Sequence, residues 1–157
     1  MGNKLTKSTN HRGGNCPSWL DHASADLVND IVRVLSAKRP DLLAILLYGS
    51  VARQEERPIE DQSPSDVDLL AIFDSDDEAI AIHQGKALFA LLGEAYNWHL
   101  DVPRDVKVMF ASRTLAEWDA SFIAHVAQDA IVLWARGPLP ASLAEAGEHT
   151  AQATDLA

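Results

Sequence analysis

The chain has a single cysteine, Cys16, so it cannot close a disulfide within itself. Neither a base nor a helix start stands clearly beside that residue, and a reactive thiol is not expected there. No apolar run approaches the roughly 18–20 residues that a membrane-crossing helix needs. No Lys/Arg cluster exists either; the nearest approach is Lys38–Arg39, in a chain whose net charge is −10. Duplex binding needs basic surface that displaces counterions from phosphates, so nucleic acid is disfavoured as a partner. An acidic surface suits a protein or a cationic small molecule better. His22, His83, His99 and His125 lack metal-ligand spacing such as H-x-x-x-H. No serine lies in a nucleophile-elbow pattern. Met1–Asn15 has no apolar h-region, so a secretory signal is not expected and the cytoplasm is the default compartment.

What is present describes an ordinary globular domain: 157 residues, 47% hydrophobic and 23% charged. Residues 1–18 read as a flexible N-terminal arm, 19–136 as the folded domain and 137–157 as a tail or short helix. Ser24 is placed to cap a helix over 25–37, with Leu27, Val28, Ile31, Val32 and Leu35 on one stripe. Leu42 to Tyr48 is short and apolar throughout, the mark of a buried strand. Gln54 to Pro64 is polar, acidic and proline-containing, hence a loop. A second buried strand follows at Val67 to Phe73. Ser75, Asp76 and Asp77 offer caps for a helix running to Tyr96. A third strand is expected over 105–110. Thr114 and Glu117 have capping-box spacing, which starts a helix with Leu115, Trp118, Phe122 and Val126 along one side. Ile131 to Trp134 reads as a last short strand. His83 and His125 fall near apolar stripes and read as packing or edge residues; Trp98, Trp118 and Trp134 read as core or interface. Asp74, Asp76 and Asp77 read as a helix start and not as a second metal site.

The chemistry concentrates at Tyr48–Gly49–Ser50–Val51–Ala52–Arg53 and Ser65–Asp66–Val67–Asp68–Leu69–Leu70. The first strand delivers a Gly-Ser turn. The second opens with two carboxylates at spacing two, and on a strand residues i and i+2 share a face. Asp66 and Asp68 therefore aim two anions at one spot, across from the turn. Gly49 lets the chain turn sharply and lets phosphate approach backbone N–H groups. Paired oxygen ligands suit Mg²⁺, which takes one or two carboxylates together with substrate phosphates. The pattern points to a nucleoside triphosphate and to phosphoryl or nucleotidyl transfer.

Gly-Ser, then Ala-Arg, then Ser-Asp-x-Asp-Leu-Leu resembles the active-site signature of the minimal nucleotidyltransferases, within the DNA polymerase beta superfamily. The resemblance spans about 27–134 and is strongest over 46–73. It implies a small α/β (α+β) fold, a mixed sheet with helices packed mainly on one face, and makes 19–136 the nucleotidyltransferase domain. It implies nucleotide contacts from Gly49, Ser50, Arg53 and Ser65. It implies metal binding by Asp66 and Asp68, with two Mg²⁺ ions and ATP or another nucleoside triphosphate as substrate. A third carboxylate on a neighbouring strand completes the family's catalytic set; Asp105 is the first candidate and Asp101 the alternative. Lys107 shares the face of Asp105, and in a register shifted by two it takes the third-carboxylate position itself. Arg53 is alternatively a surface ion pair with Glu55 or Glu56. Gln54 stands where the family often has glycine, and the loop before Ser65 is longer than is usual for it.

The implied activity is Mg-dependent transfer of AMP from ATP to an acceptor hydroxyl. Aminoglycoside nucleotidyltransferases of the superfamily hold their sugar with a substantial extra domain, for which little chain remains after Phe110. That favours an acceptor on another chain, or across a homodimer interface. Minimal nucleotidyltransferases are often antitoxins that modify a helical HEPN ribonuclease toxin, and such a partner is what the resemblance implies here. The competing readings are a non-catalytic nucleotide- or partner-binding module and, more weakly, an aminoglycoside-type enzyme.

Overall fold

The structure is a computed structural model and describes residues 16–144. Most of the arm and the end of the tail anticipated from the sequence lie outside the described residues. In chain order the elements are helix α1 (His22–Lys38), strand β1 (Leu42–Tyr48), strand β2 (Val67–Phe73), helix α2 (Ile80–Tyr96), strand β3 (Val106–Ser112), helix α3 (Ala120–Asp129), strand β4 (Ile131–Ala135) and a 3₁₀ turn (Ala141–Leu143). The four strands form one mixed sheet in the order β3-β2-β1-β4. β1 runs antiparallel to β2 and to β4, while β2 and β3 are parallel. The parallel pair is joined through α2, the crossover that parallel neighbours require.

The sheet is covered unequally. Leu69, Ala71 and Phe73 of β2, with Ile45, Leu47, Val108 and Phe110, pack beneath the two long helices α1 and α2. The alternate residues Leu46, Leu70, Ile72 and Ala111 pack with Ile123 and Val126 of the shorter α3 and with Leu143. The helices therefore lie mainly on one face, and α3 shields only part of the other. A bulge between Leu42 and Ala44 switches which face β1 presents, so Leu42 joins the first layer and Ala44 the second. On the edge strand β3, Lys107 and Met109 are exposed between buried neighbours, which leaves the first half of that strand open on the α3 side.

Both central strands begin and end where the apolar runs do. The helix starts differ from expectation. α1 is capped by Asp21, whose carboxylate accepts from the Ser24 N–H at 3.0 Å, and Ser24 itself is buried in the first turn. α2 starts at Ile80 with no side-chain cap. Asp77 instead accepts from the Ala79 N–H and meets the exposed His83 ring. The Thr114–Glu117 capping box does not form. Glu117 accepts from the backbone N–H and hydroxyl of Ser112, and Leu115 has a left-handed backbone at φ 58°. α3 starts five residues further on, with Asp119 as its cap, accepting from the Phe122 N–H at 2.9 Å. Leu115, Trp118, Phe122 and Val126 still gather in one apolar layer.

Candidate active site

The Gly49 turn is built by the chain immediately around it. Gly49 has φ +85°, a left-handed backbone that favours glycine. The Arg53 N–H donates to the Gly49 carbonyl, that of Gln54 to Val51 and that of Glu55 to Ser50. Gln54, at φ 59°, takes the left-handed position that closes such a turn. Val51 and Ala52 anchor the turn in the core under α1 and α2. The Trp19 indole donates to the Val51 carbonyl at 2.7 Å.

The long loop does not separate the two halves of the motif. The Arg57 N–H donates to Ser65 Oγ at 2.7 Å, which closes the loop's base. The Arg104 guanidinium, buried, donates to the carbonyls of Arg57 and Ser65 at 2.7 and 3.0 Å. The extra residues are thus looped out beyond a fixed neck, and Asp66 leaves that neck directly into β2.

Gly49 and Asp68 are in contact. β1 and β2 pair Tyr48 with Asp68, and a methyl group added to Gly49 would lie 2.8 Å from Asp68 Oδ2. Val67 and Leu69 point into the α1/α2 layer, so Asp66 and Asp68 occupy the other face, on its open part. Burial, and then the charge of Asp66, push the Asp68 carboxyl above its ordinary value. Burial and the Asp68 charge push the Tyr48 phenol up to about 12, so it is a neutral hydroxyl beside the carboxylates. Its ring meets Phe122 of α3 edge-on, with centroids 5.4 Å apart.

A lysine stands beside the pair on the adjoining strand. The parallel register pairs Asp68 with Lys107, and Lys107 Nζ is 2.9 Å from Asp66 Oδ2. Asp105 stands one step beyond the β3 pairing; its carbonyl accepts from the Val67 N–H at 2.8 Å, and its exposed carboxylate acts on both Lys107 and the Tyr96 phenol. Asp101 lies in the turn that precedes this approach and is exposed. Among the described residues no group of three or more His, Cys, Asp or Glu side chains is gathered as a metal site. The structure thus brings together Gly49, Asp66, Asp68 and Lys107, and does not join Asp105 to the pair as a three-acid cluster.

Arg53 and Ser65 are otherwise engaged. Arg53 contacts Glu55 at 3.0 Å and Asp129, the last residue of α3, at 3.2 Å, so its side chain ties the turn to α3. Ser65 is buried, with its hydroxyl on the Arg57 N–H. Tyr48, Trp19 and Arg104 are the contributors that sequence reading did not single out. Trp19 and Arg104 act through contacts far along the chain, which local patterning does not signal; Tyr48 heads the quoted motif, but no role was read for its side chain. A separate pocket, lined by Thr114, Leu115, Trp118 and Ile123 among others, lies by the opposite ends of β2 and β3 and contains none of these groups. Asp74 and Asp76 both pair with Arg113, at 3.0 and 2.6 Å.

No protein-family model matches the chain, and no curated protein does. Solved structures resemble it in chain path at low identity. One is a toxin–antitoxin with AMP-PNP: 19% identity over 82% of this chain and 87% of that one, TM-score 0.47. Another is the toxin–antitoxin MntA-HepT: 18% identity over 83% and 86%, TM-score 0.43. A third, from Sulfolobus solfataricus, is a proposed nucleotidyltransferase: 16% identity over 76% and 93%, TM-score 0.43.

Proposed function

We propose that this chain is a nucleotidyltransferase that binds a nucleoside triphosphate at the Gly49–Ser50 turn and transfers its nucleoside monophosphate to an acceptor hydroxyl. The observation that carries the reading is the contact between Gly49 and Asp68, with Asp66 on the same open face. Glycine and a paired carboxylate meet there without any help from the intervening loop. The donor set fits a divalent cation: two carboxylates share a half-buried face, and burial, then the charge of Asp66, pushes the Asp68 carboxyl above its ordinary value. Mg²⁺ held by Asp66 and Asp68 would supply charge neutralisation for the phosphates.

Within this reading the Gly49–Ser50 turn receives the phosphates, and the lack of a Cβ lets them approach the backbone. The acceptor oxygen forms a bond to the α-phosphorus in line with the bridging oxygen, whose bond breaks, and pyrophosphate leaves. The proton of the hydroxyl leaves to solvent on the open face, since Asp105 is not gathered with the pair. AMP from ATP is the transfer that the sequence resemblance favours. The acceptor is a partner protein of the helical HEPN-toxin type, again from that resemblance.

Incubation with α-labelled ATP, Mg²⁺ and candidate acceptors tests the proposal. Label should move to a protein acceptor, and Asp66→Ala and Asp68→Ala should each abolish the transfer, a loss on the order of 10²-fold or more. Partner binding that survives both changes, with no transfer by the unchanged protein, would instead favour a non-catalytic module. The engagement of Arg53 and Ser65 within the fold is the observation on that side.

A further inference from the structure

Among the described residues Lys107 is the cation that meets the carboxylate pair, and three features fix it there. The β2–β3 register sets it opposite Asp68, its ammonium reaches Asp66 at 2.9 Å, and the backbone of β3 leaves its side chain on the uncovered part of the sheet face. The position is the one next to Asp66 and Asp68 on the adjoining strand, where a third acid would draw in a second metal ion. An acid there raises the negative charge of the site to three; the lysine lowers it to one. A second divalent ion placed beside an ammonium meets repulsion and finds one ligand fewer. Lys107 also keeps capacity to spare. Its ammonium has three donors, one directed to Asp66, and lysine serves as a point charge toward phosphate.

We propose that Lys107 is a built-in cation of the nucleotide site, so that the site takes a single divalent ion with its triphosphate and retains nucleotide affinity when divalent ions are removed. The inference rests on the proposed nucleotide site and refines it. Asp66 holds the ammonium against the pair before nucleotide arrives, and the phosphates share it afterwards. The affinity that a metal-only site would lose entirely in chelator is therefore kept in part. A lysine that merely forms an exposed ion pair with Asp66 makes neither change.

The test measures binding, with no turnover needed. The intact chain is titrated with an α,β-methylene ATP analogue by calorimetry, in Mg²⁺ and in EDTA. Bound Mn²⁺ per analogue is counted by electron paramagnetic resonance. Lys107→Met, Lys107→Arg and Lys107→Asp are compared, and their folding is checked by circular dichroism. The unchanged protein should bind one Mn²⁺ per nucleotide and lose about tenfold or less in affinity on moving to EDTA. Lys107→Met should lose binding in EDTA by a further factor of roughly 30 or more and keep it with Mg²⁺, while Lys107→Arg retains it. Lys107→Asp should bind a second Mn²⁺. Two Mn²⁺ in the unchanged protein, or equal EDTA affinities for it and Lys107→Met, would overturn the inference and leave the nucleotide site standing. Failure of the unchanged protein to bind the analogue with or without metal would overturn both.

Discussion

Gln54 holds a left-handed backbone at φ 59°, a conformation in which a Cβ is crowded by the following carbonyl. It does so because the turn after Gly49 needs such a residue to stop. Gln54→Gly is expected to stabilise the protein by about 0.5–1 kcal/mol, the strain relieved outweighing the freedom that glycine adds to the unfolded chain. The midpoint of urea unfolding measures this, and a lower midpoint would contradict the geometry. Asp68 has the opposite relation to stability. Its carboxyl is raised by burial and by Asp66, so between the ordinary carboxylate range and its raised value the folded state holds the proton more tightly than the unfolded chain. Its contribution favours folding in acid and is lost as pH rises through the raised value. Asp68→Asn should therefore raise the Tm at pH 7, with the gain disappearing below about pH 4. A fall in Tm at pH 7 would contradict this. Residue identity made the site legible: glycine at a strand end and alternate aspartates at a strand start carry their own stereochemistry. What each partner does was not legible, because Arg53 reaches Asp129 and Lys107 reaches Asp66 only once distant elements have packed. At Cys16, burial and then the Asp26 charge push the thiol up to about 12, which leaves little thiolate at neutral pH.

Among the elements, β1, β2 and β4 were readable because each is a continuous apolar run, and β3 because buried and exposed residues alternate along its first half. The helix starts were not, because several polar residues compete for each cap. Thr114 and Glu117 have the spacing of a capping box, yet Glu117 is captured by Ser112 and Asp119 takes the cap. Asp21 likewise displaces Ser24. The two long helices are fastened by a polar cluster around a buried aspartate that no local pattern announces. Asp30 of α1 is fully buried; it meets Arg33 at 2.6 Å and His99, just past α2, also at 2.6 Å. Arg33 in turn lies over the ring of Trp98, 5.3 Å from its centre. His99→Ala is expected to cost about 3 kcal/mol, since it strips a buried carboxylate of one of its two partners. Chemical denaturation checks this, and a change under about 0.5 kcal/mol, the usual range of a surface substitution, would show that the cluster holds nothing together.

At the scale of the whole molecule, the sheet is a platform with one face closed by two helices and the other closed only in part. The site occupies the open part, where the end of β1 meets the starts of β2 and β3. The uneven cover follows from the lengths of the helices: α1 and α2 have 17 residues each and α3 has 10. No helix among the described residues is long and apolar enough to cross a membrane. The net charge of −10 leaves binding of an anionic nucleotide dependent on the local cations at the site and not on the general field of the protein.

The central claim is that the Gly49 turn and the Asp66–Asp68 pair form one triphosphate site. Nuclear magnetic resonance of the ¹⁵N-labelled chain, titrated with ATP and Mg²⁺, tests it most directly. The amide signals of Gly49, Ser50, Val51, Asp66 and Asp68 should shift together along one saturating curve, with Lys107 following them. Saturating shifts confined to the pocket by Trp118, or no shifts at the turn and the two aspartates, would contradict the account.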